Sequence, residues 1–532
     1  MEKITSYKKF LAGPVSVRPL ALFRIFFGSL MAWYVFQYRS DAIIYTHYLA
    51  PGCLFSFPLL GWLHFGVLPE SYLYLLFKVM LISAVCVAVG FLYRSALLIF
   101  LATFSYAFLL EKTLYNNHYY FIILISFLML FVPANGMWSV DTYLEWAPRR
   151  KTTQQWRGFL LQMQVILVYF FGGLAKLGPD WMSTAVIRTT FAGYPSWAVL
   201  LLTYGGVITD FGVAALLFSR RYRMAGIIWA VAFQSLIKIN IGVGIFPFLM
   251  MAVLILFVPV APRDEFEEKP LSPKTFGWIH LYLVLQCLLP FQHLLYPGNV
   301  NWTKEGDYFS WRMFSQKAVG HLDVYLTDRK TGKKMEVPRL KGITLASYAQ
   351  MVTRPKMIWQ YAHYLKKVYE REGMHDPVVN VDSFVALNGR NFYRLIDPHV
   401  DLGRVAYPFW HHARWILPHP DKQPKGTGVA WYNVGAFFKP AYQLAVIDAE
   451  ALVPGDDPTY HRDADMLKRI AARYKLPEQK AADKIVLLRQ AMWQKGGPLV
   501  RVEEMLQFME KTQASTFSEL LDKVARKYVL LW

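Results

Sequence analysis

Nine apolar segments of near membrane-spanning length occupy the first 300 residues of the chain. A helix needs about 20 apolar residues to cross the hydrocarbon core of a bilayer, with a range of roughly 17 to 25. The candidate spans are residues 18–37, 72–92, 95–111, 119–134, 157–175, 197–218, 223–239, 241–260 and 275–296. The third and fourth are short. The pattern predicts a polytopic α-helical membrane protein with about nine transmembrane helices.

The composition is typical of a membrane protein that also has a substantial soluble part. Of the 532 residues, 55% are hydrophobic, and the mean hydropathy is +0.25. The net charge of +20 usually reflects basic cytoplasmic loops and attraction to anionic lipid in such a protein. We expect the lipid bilayer as a partner and no nucleic acid, because no basic run is combined with aromatic residues in a soluble module.

The three cysteines, Cys53, Cys86 and Cys287, are scattered and show no spacing typical of a metal or redox motif. Cys86 and Cys287 lie inside apolar runs, where a thiol is usually a small buried hydrophobe. We therefore predict no metal site. No cleavable signal pattern precedes the first apolar segment, so we expect the first helix to act as an uncleaved insertion signal.

The distribution of Lys and Arg predicts the orientation in the membrane, because cytoplasmic loops carry an excess of these residues. They are concentrated in the N-terminal tail and in alternate loops, at Lys3, Lys8, Lys9, Arg18, Arg94, Arg149, Arg150, Lys151, Arg157, Arg220, Arg221, Arg223, Arg263, Lys269 and Lys274. The intervening loops hold fewer. The N-terminus is therefore predicted to be cytoplasmic, and with nine spans the chain after about residue 297 is predicted to be extracytoplasmic.

The sequence changes character after residue 297 and predicts a mixed α/β domain. Two short strands are expected around the turn "DRKTGKK", a helix interrupted near Pro355 follows, and a hairpin is expected around Asn388-Gly389. The last part resembles amphipathic helices. The predicted division of the chain is a transmembrane helical domain at 1–296, an extracytoplasmic α/β domain with a β-rich part at 297–455, and a helical extension at 456–532.

Several polar groups are predicted to meet at the outer mouth of the helices. Lys176 ends the fifth span, and Asn117 and His118 lie in the loop before the fourth. Tyr169 is seven residues before Lys176 and therefore projects from the same helix face. Each has an ordinary interpretation as well. Lys176 could snorkel to the membrane surface, and His118 could be an interfacial or capping residue. A lysine held in an apolar pocket could instead act as a base near neutral pH.

Long stretches of the chain resemble the vitamin K-dependent gamma-carboxylase family and its wider group of horizontally transferred transmembrane proteins. The resemblance extends, with gaps, from about residue 15 to residue 420. It is carried by "RPLALFRIFFG", "FLLEKTLYNNHYYFIILISFLMLFVPANGMWSVD", "YFFGGLAKLGPDW", "NWTKEGDYFSWRMF" and "LIDPHVDL".

The resemblance implies a role for each candidate site residue. Lys176 matches the base that deprotonates the hydroquinone of vitamin K, and His118 matches a histidine that assists at the glutamate. Asn117 and Tyr169 also fall on family positions, and Trp311 lies in a segment similar to the one that approaches the glutamate. The implied co-substrates are reduced vitamin K (phylloquinol or menaquinol), O2 and CO2, without a metal. The implied partner is a glutamate-containing peptide or protein.

The sequence also departs from the family pattern. Gln234 stands where a histidine is usual, Arg312 replaces an acidic residue, and Gln316 replaces a histidine of the animal enzyme.

Three hypotheses about the function remain open. The first is a γ-glutamyl carboxylase that forms γ-carboxyglutamate while the quinol is epoxidised. The second, motivated by Gln234 and Arg312, is a quinol epoxidase or oxidase without peptide carboxylation. The third is a non-catalytic membrane protein that binds quinone or lipid.

Overall fold

The computed structural model describes residues 2–39, 41–57, 66–191, 193–240, 244–262, 270–338, 340–408 and 411–422. Long helices form its N-terminal part: α1 (Glu2–Ala12), α2 (Arg18–Phe36), α3 (Glu70–Val89), α4 (Tyr93–Leu110), α5 (Asn117–Met129), α6 (Gln155–Lys176), α7 (Ser196–Phe218), α8 (Arg223–Asn240), α9 (Phe246–Val253) and α10 (Pro273–Leu288). Short helices lie between them at Asp41–Ile44, Val140–Tyr143, Pro179–Met182 and Ala185–Thr190. The predicted extension at 456–532 lies outside the described residues, as does 423–455.

Each of the nine predicted spans overlaps one of the helices α2 to α10, although α5, α9 and α10 are shorter than predicted. Among the described residues, six segments are long and apolar enough to cross a membrane: Arg18–Phe36, Glu70–Val89, Tyr93–Leu110, Gln155–Lys176, Ser196–Phe218 and Pro273–Leu295. The segments Asn117–Met129 and Phe246–Phe257 are apolar but shorter. The described residues therefore confirm a membrane-type helical bundle, and the count of nine crossings stays a prediction.

Helix α6 lies at the centre of the bundle. Within its most apolar window 72% of the residues are buried, against 22–50% in the other five candidate spans. It packs against α5, α7 and α10. Elsewhere the bundle is tightened by glycine, as at Gly28 of α2, where an added Cβ would lie 2.4 Å from the backbone nitrogen of Ala88 in α3.

The described residues from 300 to 422, here called the sheet module, contain an antiparallel sheet in the order β4-β3-β5-β6. Its strands are β3 (Ala318–Thr327), β4 (Lys334–Glu336), β5 (Val378–Leu387) and β6 (Tyr393–Arg394). Two further strands, β1 (Pro14–Ser16) and β2 (Thr152–Gln154), form a separate pair beside the bundle. The helices of the module are Val300–Thr303, α11 (Leu345–Met351) and α12 (Pro355–Arg371).

The local predictions for the sheet module are confirmed. Strands β3 and β4 pair on either side of the "DRKTGKK" turn, with Thr327 opposite Lys334. Pro355 begins α12, where its missing N–H would have had no helical partner in any case. Asn388 and Gly389 follow β5 with φ of 53° and 76°, the left-handed conformation that these two residue types adopt most readily.

The bundle and the sheet module share a hydrophobic core. Cys53 and Phe55, which lie between α2 and α3 in the chain, are buried together with Trp302, Tyr361 and other residues of the module. The backbone N–H of Cys53 donates a hydrogen bond of 2.8 Å to the carbonyl of Gly342. The module is thereby held against one end of the bundle, where α4 ends and α5 begins.

Candidate active site

Lys176 is the last residue of α6, and its side chain is buried by protein. The residue is 7% exposed, its Nζ donates a hydrogen bond to Oδ2 of Asp210, and it lies 5.4 Å from the ring centroid of Trp181. A snorkelling lysine would instead extend its ammonium group to water or lipid headgroups. The structure thus contradicts the snorkelling interpretation of Lys176.

Asp210, the partner of Lys176, is the main site residue that the sequence analysis missed. It is 4% exposed in the middle of α7 and is the only charged residue in that helix. That isolation was a signal, because an ionisable residue within a membrane span is costly and usually functional. The small residues of α6 make room for it, since a Cβ added to Gly172 would lie 3.3 Å from Oδ2 of Asp210. Gly172 and Gly173 thereby allow α6 and α7 to approach closely.

Tyr169 lies on α6 in a second polar contact below Lys176. Its hydroxyl accepts a 2.9 Å hydrogen bond from Nε2 of Gln234 on α8, and the two residues are 3% and 2% exposed. Among the described residues, the amide oxygen of Gln234 has no hydrogen-bond partner. Gln234 therefore has an unsatisfied acceptor inside the bundle.

His118 and Asn117 occupy the first turn of α5. Asn116 caps this helix, since its side-chain oxygen accepts a 3.1 Å hydrogen bond from the N–H of Tyr119. The ring of His118 lies 5.4 Å from that of Phe246 in α9. Asn117 accepts a 3.0 Å hydrogen bond from the hydroxyl of Tyr115. No hydrogen bond between described residues joins His118 to Lys176, so the predicted meeting of these two groups stays a prediction.

An apolar cleft adjoins the first turn of α5. It is narrow and is lined by side chains of α2, α3 and α4 together with Tyr119. The hydroxyl of Tyr34 contacts those of Tyr38 and Tyr119 at 2.8 and 2.6 Å. The ring of Tyr119 lies 4.8 Å from the ring of His118. The cleft thus combines apolar walls with a chain of hydroxyl groups that ends beside His118.

The segment from residue 304 to residue 314 connects the two sides of the site. Trp311 is 1% exposed and stacks on Tyr120 of α5 at 4.9 Å. Met313 contacts α6 beside Lys176, since its methyl group lies 3.6 Å from the position of a Cβ on Gly172. Phe309, Trp311 and Phe314 all have φ near 60°. Such backbone strain in bulky residues is concentrated at functional sites.

Arg312 is part of a polar network that joins the sheet module to the end of α6. Its Nη2 donates a 2.9 Å hydrogen bond to Oδ1 of Asn301, and Nδ2 of Asn301 donates at 2.9 Å to Asp180. Arg390 also donates to Asp180, at 2.9 Å. Burial alone would raise the pKa of Asp180, but these hydrogen bonds and the charge of Arg390 bring it below its ordinary value. Asp180 is therefore an anionic anchor for the module.

Two family models match the chain. Residues 13–261 match the model described as HTTM domain. Residues 272–422 match the model described as vitamin K-dependent gamma-carboxylase, lumenal domain. The first match contains Asn117, His118, Tyr169, Lys176 and Asp210, and the second contains Trp311. No solved structure matches the chain. Within the described residues no group of three or more His, Cys, Asp or Glu side chains could hold a metal ion.

Proposed function

Since this chain belongs to the vitamin K-dependent gamma-carboxylase family, we propose that it is an integral-membrane γ-glutamyl carboxylase. It would convert glutamate in a peptide to γ-carboxyglutamate with CO2, while a hydroquinone such as phylloquinol or menaquinol and O2 become the epoxide and water. The buried pair of Lys176 and Asp210 carries the proposal. A buried ion pair contributes little to stability, so a purely structural scaffold would gain nothing from it.

The residues around α6 suit a reduced quinone. The quinol, when bound with O2, supplies the strong base that removal of a glutamate γ-proton requires. Nζ of Lys176, as the neutral amine, would take a proton from the quinol hydroxyl group, and the ion pair with Asp210 would form in that step. The amide oxygen of Gln234, which has no partner among the described residues, offers an acceptor nearby. The isoprenoid or phytyl tail would lie between apolar helices elsewhere, because the cleft beside His118, with a volume of about 30 Å³, has room only for about one water.

Asp210 has two tasks in the proposed mechanism. It fixes Nζ of Lys176 at one position on α6, because the hydrogen bond restrains a side chain that otherwise has four rotatable bonds. It also stabilises the ammonium group that forms when Nζ accepts a proton, since a lone ammonium in a buried site is strongly disfavoured.

His118, Asn117 and Trp311 would act on the glutamate side of the site. His118 and Asn117 lie in the first turn of α5, where they can hold a side chain that arrives from water. Trp311 covers α5 through its stack on Tyr120 and keeps bulk water from a reactive base. The match to a lumenal domain and the basic-loop pattern both favour a cytoplasmic N-terminus and an extracytoplasmic sheet module.

One assay tests the proposal. Protein in nanodiscs receives vitamin K hydroquinone, O2, labelled bicarbonate and a glutamate-containing peptide, and epoxide and fixed label are measured in the same tube. We expect both products from the native protein and neither from Lys176→Met. Lys238→Met is the matched control, because Lys238 is an exposed lysine on α8. Full epoxide formation by Lys176→Met would show that Lys176 is not the base.

The same tube distinguishes the two alternatives. Epoxide without fixed label would favour a quinol epoxidase, the hypothesis that Gln234 and Arg312 motivate. In the structure Arg312 is bound to Asn301, so its positive charge is engaged in anchoring the module. No turnover of quinol at all would favour a non-catalytic quinone- or lipid-binding protein.

A further inference from the structure

A polar cavity in the sheet module is lined by none of the residues assigned to catalysis. Its volume is about 290 Å³, and it is lined by Lys304, Gln316, Lys317, Ala318, Val319, Gln350, Thr353 and Arg354. A liquid water occupies about 30 Å³, so the cavity has room for a side chain of glutamate size together with water. Of the described residues that line it, three are basic and none is acidic.

Lys304 is the most informative residue of the cavity. It is 8% exposed, and within the described residues its Nζ has no hydrogen-bond partner. Its backbone is in the left-handed conformation, with φ of 59°, just after the helix Val300–Thr303. A buried ammonium without a partner is costly. An arrangement of this kind is expected where a ligand completes the hydrogen bonds.

The other basic residues of the cavity can donate hydrogen bonds to a bound anion. Arg354 lies 3.7 Å from Asp307, which neutralises it only in part. Nζ of Lys317 donates a 3.4 Å hydrogen bond to the carbonyl of Thr189. That contact places one edge of the cavity against the outer loops of the bundle. Lysine and arginine around one small cavity form a site for a carboxylate, since charge-assisted hydrogen bonds to it are strong.

We propose that this cavity binds a second carboxylate of the peptide, belonging to a residue other than the glutamate that reaches Lys176. This inference rests on the proposed carboxylase function. The cavity is lined by residues of the sheet module, whereas Lys176 and Asp210 lie on α6 and α7. Because the two sets of residues do not overlap, we assign the cavity to a different carboxylate from the one that reacts. The preferred substrate is an acidic peptide with at least two glutamates.

Protonation of Lys304 supports this assignment. Burial lowers the pKa of Lys304, Asp307 and Asp180 raise it, and Arg354 and Arg312 lower it, with a net value of about 7. A carboxylate bound beside Nζ favours the ammonium form, so binding takes up a proton. Affinity for the acidic peptide is expected to fall as the pH rises above about 7, and to do so less in a variant without Lys304.

Equilibrium binding tests the proposal without any quinol. Full-length protein in nanodiscs of neutral lipid is titrated with two fluorescent peptides, one with two glutamates and one in which the second is glutamine. The native protein is expected to bind the first about tenfold more tightly, as one charge-assisted hydrogen bond predicts. Lys304→Met should remove this preference. Lys330→Met, at an exposed lysine of the β3–β4 turn, should keep it.

The outcomes separate this proposal from the proposed function. Carboxylation of the single-glutamate peptide reports on the function alone, because that peptide leaves the cavity empty. Equal affinity of the native protein for both peptides, or equal weakening of both by Lys304→Met, would overturn the cavity assignment. Lys317→Gln, at the rim, gives a second test of the same preference if Lys304→Met does not fold. Competition by excess bicarbonate at constant ionic strength, lost in Lys304→Met, would assign the cavity to bicarbonate and reject the peptide.

Discussion

At the scale of single residues, the site consists of polar groups that the apolar helices bury in pairs. Lys176 meets Asp210, and Tyr169 meets Gln234. The sequence predicts that Tyr169 and Lys176 share a face of one helix, because periodicity within a helix is local. It does not predict either partner, since both contacts join helices that are distant along the chain. The lone charge of α7 indicated that Asp210 has a partner, but only the packing of α6 on α7 identifies it.

Removing one member of the buried pair is expected to be worse for stability than removing both. Asp210→Leu leaves an unpaired charge and should lower the free energy of unfolding by about 3–5 kcal/mol. In the double variant Lys176→Met with Asp210→Leu, most of this lost free energy should be regained. Both variants should lack epoxidase activity. Thermal unfolding in nanodiscs gives the stabilities. Additive losses in the double variant would mean that the two side chains do not form a pair.

At the scale of elements, the apolar length of each segment predicts the helices well, and their ends less well. The predicted span at 119–134 ends at Met129, and the helix predicted from 241 begins at Phe246. Proline explains both shifts. Pro133 cannot continue a helix, and Pro247 is favoured in a first turn. The short helices Pro179–Met182 and Ala185–Thr190 were not predicted, because one or two turns give too little periodicity.

The cap of α5 is expected to control the position of His118. Asn116→Ala removes the acceptor for the N–H of Tyr119 and should cost about 1 kcal/mol of stability, with fraying of the turn that holds His118. The carboxylation rate should fall strongly, whereas the unfolding temperature should fall by only a few degrees. Asn116→Asp keeps the acceptor and serves as the control. Equal activity of the alanine and aspartate variants would show that the cap does not position His118.

The close packing of α2 on α3 is expected to depend on the absence of a side chain at Gly28. Gly28→Ala places a Cβ 2.4 Å from the backbone of Ala88 and should destabilise the bundle by about 1–3 kcal/mol. Gly277→Ala in α10 meets no atom within 4 Å and should be neutral or slightly stabilising. Unfolding midpoints of the two variants provide the comparison. A stability of Gly28→Ala equal to that of Gly277→Ala would contradict the packing.

At the scale of the whole molecule, the bundle and the sheet module meet through contacts that no local pattern predicts. The segment that holds Cys53 and Phe55 has no periodicity of its own, yet it enters the core of the module. Lys112, in the turn between α4 and α5, donates a 2.8 Å hydrogen bond to Oε1 of Gln360 on α12. Its backbone N–H donates to the carbonyl of Phe55. The hydrogen bond between Lys112 and Gln360 joins residues 248 positions apart. Composition and hydropathy do not predict contacts at such separations.

Lys112 makes this junction sensitive to pH. Burial and the neighbouring cations Lys356 and Arg354 lower the pKa of Lys112, Glu111 acts in the opposite direction, and the net value is about 7. The unfolded chain keeps the ordinary value of 10.5. Between these values the unfolded state binds more protons than the folded state, so stability rises with pH across this window. Below about 7 the ammonium is charged in both states and the burial penalty is complete.

Lys112→Met should therefore be more stable than the native protein at about pH 6, and this advantage should shrink steadily toward about pH 9.5. The methionine keeps the apolar contact with Phe57, over whose ring the lysine lies, and removes the proton that burial disfavours. Unfolding midpoints in nanodiscs across this range measure the difference. The exposed Lys330→Met should show a difference that does not change with pH. If the difference in unfolding midpoint between Lys112→Met and the native protein also did not change with pH, Lys112 would not titrate at the junction. The two parts of the molecule would then be held together by the shared apolar core alone.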